Sequence, residues 1–459
     1  MKLHNKAQST NYSAQIIELP EPFKHPNADR LFCVSVNGNI VITGSKAQKG
    51  EHYIFFPLEC AINREFLAWS NSFSDANLNA DPLAKGFFPS SGRVKAVRLR
   101  GQPSMGYIIP VSLLSEWLES KGLSPLADYT INQEFDSCGD ILICEKYIPA
   151  SVRTKSSGTP RSRDHKVVRH SKVIEGQFRF HVDTANLRKN IHNVLPEDII
   201  TISYKLHGTS GVFSKVLCNR KLTWKDKLAR FLGVEVRESH YDHLYSSRSV
   251  LKNGTEYVKK EHNHFYGTDI WGEAHKIVAP AIRDGYTLYA EIVGYTPSGG
   301  AIQKSYDYGC APSSFKVYIY RITYTNASHD VFELSFPQIE RYCQKNNLNM
   351  VPVLYHGRAD GYLPFTGNRV REESLKEWQN NLLDHLSIKY LEKECHMCTN
   401  KVPAEGIVIA IERDQFTAFK LKSFAFLEGE TKALDEGTID IETQESIENK
   451  NTQEVYIES

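Results

Sequence analysis

The stretch 150–172 (ASVRTKSSGTPRSRDHKVVRHSK) most limits what this chain can fold into, because it cannot build a core of its own. It carries seven Lys or Arg, one acidic residue and no aromatic. The apolar surface it could bury is too small to offset the entropy of ordering it. Such a basic linker divides the 459 residues into two folded parts, which suits a length beyond the roughly 250–300 residues at which single cores stop growing. The expected organisation is a module over 1–149, the linker at 150–172, a larger domain over 173–427 and an acidic, disordered tail over 428–459. That tail holds ten Asp or Glu against Lys432 and Lys450, a net of −8, so the overall +1 leaves +9 on the rest of the chain. Clustered positive charge permits a polyanionic partner, and the linker is suited to tracking a phosphate backbone.

No apolar run approaches the ~20 residues that span a bilayer, and the N-terminus MKLHNKAQST has no secretory apolar stretch. Nine scattered cysteines, an odd number, fit a reducing compartment better than a disulfide framework. The expectation is a cytoplasmic enzyme, off the membrane, with no protein partner inferred.

The first module reads as short strands. Leu31–Val36 and 39–43 flank Asn37-Gly38, a hairpin signal because both turn positions need positive φ. Further strands are expected at 53–56, 93–100 and 107–109, the second carrying four basic residues, and a helix should place Leu114, Trp117 and Leu118 on one stripe. Many short strands with Gly and Pro turns suggest a small closed barrel.

In the larger domain, strands are expected at 199–204, 287–293, 316–322, 407–411 and 416–422, with helices near 335–346 and 372–394. The segment Tyr204-Lys205-Leu206-His207-Gly208-Thr209-Ser210 ends a strand in a lysine, and alternation puts Lys205 and His207 on one face. Downstream, in order, come Ser247-Arg248-Ser249, then Tyr289-Ala290-Glu291-Ile292-Val293-Gly294, then Val317-Tyr318-Ile319-Tyr320-Arg321. Glu405-Gly406-Ile407-Val408-Ile409 and Phe419-Lys420-Leu421-Lys422-Ser423 complete the series. In the last strand Lys420 and Lys422 share one face while Phe419 and Leu421 share the other.

This ordered series resembles the covalent nucleotidyltransferases (RNA ligases, DNA ligases and mRNA-capping enzymes). It looks closest to RNA ligases carrying Lys-x-His-Gly-Thr-Ser, the nick-sealing type first defined in Deinococcus. The phrase His25-Pro26-Asn27-Ala28-Asp29-Arg30-Leu31, with Leu99-Arg100-Gly101 and Ser104-Met105-Gly106, resembles oligonucleotide-binding (OB) modules of tRNA-binding proteins. Those ligases place an OB module ahead of the catalytic domain. The resemblance therefore implies an α+β chain, with an N-terminal OB-like β-barrel followed by a mixed antiparallel-sheet nucleotidyltransferase (ATP-grasp-like ligase) domain. The superfamily pattern has aspartate where His207 stands; the related subgroup shares the histidine.

The same resemblance implies roles. Lys205 becomes adenylylated by ATP, Lys420 and Lys422 contact the α-phosphate, and His207 and Gly208 belong to the nucleotide pocket. Arg248 holds the ribose, Tyr320 stacks on adenine with Tyr318 as the alternative, and Glu291 contacts the sugar or a metal. Glu405 binds the metal, which is Mg²⁺ or Mn²⁺ because both suit hard oxygen ligands. Attack needs a neutral amine, whereas an unperturbed lysine has a pKa of about 10.4, so burial or neighbouring cations must favour the neutral form. The implied substrate is a nicked duplex with a 3′-hydroxyl on RNA and a 5′-phosphate.

A capping guanylyltransferase uses the same lysine chemistry, but such enzymes usually carry their OB domain after the catalytic domain. A non-catalytic OB-fold RNA-binding protein is the other alternative, and decay of that kind would erode Lys205, Glu405, Lys420 or Lys422. The stretch 215–237, rich in Lys and Arg with Trp224, is suited to clamping a duplex. His240, His243, His262, His264 and His275 read as surface histidines, and Cys395-His396-Met397-Cys398 lacks the second CxxC of a zinc site.

Overall fold

The computed structural model describes residues 1–6, 10–44, 47–149, 172–254, 266–367 and 371–437. The expected linker up to Ser171, His262, His264 and the tail from residue 438 lie outside the described residues.

In the N-terminal module we label β1 (Ala14–Glu18), β2 (Leu31–Val36), β3 (Asn39–Gly44), β4 (His52–Phe56), β5 (Ala96–Leu99), β6 (Gln102–Met105), β7 (Tyr107–Pro110), α1 (Val111–Ser120) and β8 (Glu134–Phe135). The β2–β3 hairpin forms where Asn37-Gly38 required it, pairing Val36 with Asn39 and holding Asn37 at φ 48° and Gly38 at φ 66°. A four-stranded sheet runs β7-β4-β1-β8, and Leu114 and Trp117 of α1 are buried on Ile16, Ile54, Phe56 and Ile109.

The expected closed barrel does not form among the described residues. The β2–β3 hairpin sits in a separate three-stranded sheet and β5–β6 in a two-stranded one. Val34, Val36 and Val41 pack on Ile17, Tyr53, Phe55 and Ile108, so side chains rather than ladder hydrogen bonds join the sheets. The strand expected at 93–100 is shortened to β5 because Arg100 turns with φ 47°. His25 is buried, its Nε2 meets the Leu99 carbonyl at 3.1 Å, and its Nδ1 accepts from the Asn27 amide at 3.0 Å. The OB-like phrase thus pins the module's own turns.

The larger domain contains β9 (Ile199–Lys205), β10 (Thr209–Asn219), α2 (Trp224–Phe231), β11 (Ser239–Ser246), α3 (Ile270–Val278), β12 (Tyr286–Gly294) and β13 (Phe315–Thr325). It continues through β14 (Val331–Glu333), α4 (Phe336–Lys345), β15 (Val353–Arg358), α5 (Glu372–Tyr390), β16 (Gly406–Ile411), β17 (Thr417–Lys422) and α6 (Phe424–Asp435). One sheet runs β17-β16-β9-β15, with Ala185–Asn186 added parallel to β17. The second runs β11-β10-β12-β13-β14.

Each sheet is amphipathic at a period of two. Ile200, Ile202, Ile407, Ile409, Phe419 and Leu421 turn inward onto Trp378, Leu382 and Leu386 of α5. In the second sheet Phe213, Leu288, Ala290, Ile292 and Ile319 pack on Trp271 and Ala274 of α3 and Tyr342 of α4. The opposite face of the first sheet lines a cleft together with Ser210, Glu291 and Tyr320 of the second, whose Val212, Val216, Leu244 and Tyr289 are buried with Phe178 instead.

The acidic tail expected from Glu428 begins instead as helix. α6 is capped by Ser423, whose side chain accepts from the Phe426 amide, and buries Phe424 and Phe426. Two of its acidic side chains meet the basic segment 93–98 of the N-terminal module. Asp435 pairs with Arg93 at 3.2 Å and Lys95 at 2.8 Å, and Glu428 with Arg98 at 3.5 Å.

Candidate active site

Register brings the three lysines of the motifs together. Gly406 at the start of β16 lies opposite Lys205 on one side and Lys422 on the other, and Val408 lies opposite Lys420. A Cβ on Gly406 would fall 2.0 Å from the Leu421 carbonyl oxygen, and its φ is 141°, so only glycine lets these strands close. The lysines project into a cleft of about 1900 Å³ that His207, Arg248, Glu291, Tyr320 and Glu405 also line.

Glu405 is the electrostatic centre. Its side chain is 2% exposed, with Oε1 2.9 Å from Lys205 Nζ and 3.1 Å from Lys422 Nζ, and Oε2 3.8 Å from His207 Nδ1. Burial alone would raise this carboxyl, but Lys205, Lys422 and His207 together hold it down to about 2. The position of His207 also has a physical reason: an aspartate there would set a second carboxylate beside Glu405. Lys205 is thus ion-paired with Glu405 on this wall. The lysine whose ammonium is disfavoured is Lys420, brought to about 8 by burial and then by Lys422, Lys205 and Arg248.

The turn after Lys205 is pinned from four sides. The His207 amide donates to Tyr308 Oη at 2.6 Å and the Gly208 amide to Glu291 Oε1 at 2.9 Å. Gln303 Nε2 donates to the Gly208 carbonyl at 2.7 Å, and Trp271 Nε1 to the Ser210 carbonyl at 2.9 Å. A Cβ on Gly208 would stand 2.3 Å from the Ile292 carbonyl oxygen. Glu291 is thus a support for this turn as well as a cleft residue. The His207 ring is held edge-on by Tyr306 and Phe426, at centroid distances of 4.9 and 4.8 Å.

Across the cleft, Tyr320 lines the pocket and Tyr318 does not. Tyr320 Oη meets His181 Nδ1 at 2.8 Å, and Arg248 pairs with Asp183. His181, Asp183, Gln303, Tyr306 and Tyr308 lay outside the sequence reading. They come from irregular segments and touch the motifs only through space, so no periodic signal marks them.

The residues present fit a hard divalent cation held mainly by phosphate and water. Glu405 Oε2 is buried without a hydrogen-bond partner, and the donors on offer are carboxylates, as Mg²⁺ and Mn²⁺ prefer. No group of three or more His, Cys, Asp or Glu among the described residues is arranged to hold a metal, which covers Cys395 and Cys398 as well. The histidines expected on the surface include a half-buried pair, His275 Nε2 to His243 Nδ1 at 3.1 Å, beneath β11 and α3. No helix among the described residues is long and apolar enough to cross a membrane.

At the far end of the β10–β11 hairpin, α2 exposes a strongly apolar side. Trp224 is 70% and Phe231 86% exposed, beside Lys225 and Lys227.

Residues 198–424 match the family model described as RNA ligase. The search of curated proteins returned no match. Solved structures of the Naegleria gruberi RNA ligase share the fold. Mutants with ATP and manganese and with AMP and manganese superpose with TM-scores of 0.53 and 0.51, at 15% identity, over 91% of this chain and 98% of theirs. The same ligase with PPi gives 0.53 at 15% identity over the same shares.

Proposed function

We propose that this chain, whose residues 198–424 match the RNA ligase family model, is an ATP-dependent RNA ligase that seals 3′-hydroxyl/5′-phosphate nicks through a lysyl-AMP at Lys205. ATP and a divalent metal are its cofactors and RNA its substrate. The observation that carries the finer reading is the convergence of Lys205, Lys420, Lys422, Glu405 and His207 on one cleft wall, facing Arg248 and Tyr320 on the other. In the first step Lys205 Nζ gives up its proton to solvent, leaves Glu405 and forms a bond to the α-phosphorus as pyrophosphate departs with the electrons of the broken P–O bond. A 5′-phosphate oxygen then takes the AMP from Lys205, and a 3′-hydroxyl oxygen displaces AMP to close the phosphodiester.

Lys420 and Lys422 supply fixed positive charge where charge builds on the phosphoryl group. Arg248 and Tyr320 orient the nucleoside, and the pinned turn keeps Lys205 in line. Glu405, with Glu291 across the cleft, would hold the metal, which when bound neutralises phosphate charge. The N-terminal module, proposed as OB-like in role, stands beside this cleft and contributes Lys6, Tyr12 and Lys146 to its lining.

The test is incubation with α-labelled ATP or GTP and Mg²⁺ or Mn²⁺, followed by nicked duplexes with RNA or DNA at the 3′-hydroxyl. Label from ATP and sealing with RNA at the 3′-hydroxyl are expected. Label from GTP alone would make it a capping enzyme, and no label from either would leave a non-catalytic RNA-binding protein.

Two further outcomes follow from the geometry. Lys420 is held at about 8, below the roughly 10.4 of an unfolded chain. Its charge is therefore lost from the folded protein as pH rises through 8, while the unfolded chain keeps it. Folding stability should rise between pH 8 and 10, and ATP affinity should fall over the same window. The Lys420→Arg variant, always charged, should bind ATP with a flat profile there in titration calorimetry.

The second concerns α2, which we assign to the nucleic acid because its exposed aromatics stand among lysines. Aromatic contacts with bases contribute about 1–3 kcal/mol each. The double change Trp224→Ala and Phe231→Ala should cut nick sealing by about thirty-fold or more, leaving label uptake from ATP within about two-fold. Equal loss in both assays would remove the RNA role.

A further inference from the structure

α6 touches the reacting wall and the N-terminal module at once. On one side both carboxylate oxygens of Glu430 stand 3.1 Å from Lys422 Nζ, and the Phe426 ring lies 4.8 Å from the same nitrogen. On the other, Arg98 lies 4.7 Å over the Phe424 ring, Thr431 Oγ1 donates to Glu59 Oε1 at 3.3 Å, and Asp435 takes Arg93 and Lys95. Phe424 is buried with Ala96 and Met105 of the module.

We infer that α6 is a latch on nucleotide loading, with Glu430 as a positioning residue that occupies Lys422 in place of a nucleotide phosphate until ATP displaces it. This rests on the ligase reading and goes beyond it, since Glu430 belongs to none of the motifs.

The argument is one of competition. Lys422 already faces two carboxylates, so an arriving phosphate must displace one of them. Glu405 is 2% exposed and held by Lys205, Lys422 and His207 together. Glu430 is 28% exposed, and among the described ion pairs its only partner is Lys422. Glu430 is the one that yields. Burial and the nearby Glu405 raise the Glu430 carboxyl although Lys422 opposes them, so its charged form is the less secure of the two.

The helix cannot swing from Lys422 without straining its contacts to Arg93, Lys95 and Arg98. Nucleotide loading and the seating of the N-terminal module are therefore linked, and linkage is reciprocal: what loosens the helix eases ATP entry, and ATP loosens the helix.

The experiment is label uptake from ATP across a range of concentrations, with thermal melts to show that each variant is folded. Glu430→Gln should lower KM for ATP by about ten-fold, equivalent to ~1.4 kcal/mol, with kcat changing less than KM. Asp435→Asn should move KM in the same direction by a smaller factor. If Glu430→Gln does not fold, Glu430→Asp, one methylene shorter, carries the same expected sign. An unchanged or raised KM in the folded variant overturns the latch. Should the parent chain take no label, the ligase reading fails instead, and titration calorimetry of ATP into parent and Glu430→Gln still reads the latch through the same change in affinity.

Discussion

The Lys205→Ala variant is expected to take up no AMP label from ATP while folding like the parent chain. In the proposed mechanism the amine forms the covalent bond, and loss of a nucleophile lowers such a step by on the order of 10⁴-fold or more. Two other amines share the cleft wall, so the result discriminates among them. Lys422 is held by Glu405 and Glu430, each at 3.1 Å, and is not free to attack. Lys420, held at about 8, keeps a small neutral fraction near neutrality. Label retained by the Lys205→Ala protein, mapped by peptide mass spectrometry to Lys420, would move the nucleophile there. Stability should fall modestly while the protein stays folded. Glu405 keeps Lys422 at 3.1 Å and His207 at 3.8 Å, so the cost of one lost charged hydrogen bond is about 1–3 kcal/mol.

Glu405→Gln should damage activity and stability together. The carboxylate gathers Lys205, Lys422 and His207 on one buried group. Its removal leaves cations facing one another where a phosphate must enter. Label uptake should fall by at least about a hundred-fold, the scale on which loss of a fixed electrostatic group in a reacting site acts. For stability the sign follows from the depressed carboxyl. Its folded value of about 2 lies below the roughly 4.3 of an unfolded glutamate. Its contribution is therefore complete above pH 4.3 and is lost as pH falls towards 2. The full amount is about 3 kcal/mol. The melting temperature of Glu405→Gln should thus lie well below the parent at pH 7, and the gap should narrow between pH 4 and 2. A gap independent of pH would mean that Glu405 stabilises the fold by packing instead of charge.

The wall that bears the lysines was legible in the sequence because strand alternation is a local property. Phe419 and Leu421 had to point away from Lys420 and Lys422, and Asn37-Gly38 had to turn a hairpin, whatever the rest of the chain did. The closed barrel was misread because short strands reveal themselves but not their partners. The acidic composition after Phe426 suggests disorder, yet its first residues are helical to Asp435 because their charges find partners far away in the chain. Their partners are Arg93 and Lys95, just ahead of β5, and Arg98 within it.

The residues around the motifs follow the same division. Tyr308, Gln303 and Trp271 hold the turn after Lys205 from segments 61–101 residues away in the chain. Asp435 meets Arg93 across 342 residues. The alternation that sets Lys420 and Lys422 on one face and the glycine turns of the motifs were set by local chemistry, which a sequence displays directly. The shared hold of Lys205 and Lys422 on Glu405, the cation-crowded Lys420 and the Glu430 latch were decided only by tertiary structure. Coulomb interactions depend on distance and burial, and neither is written in the spacing of residues along the chain.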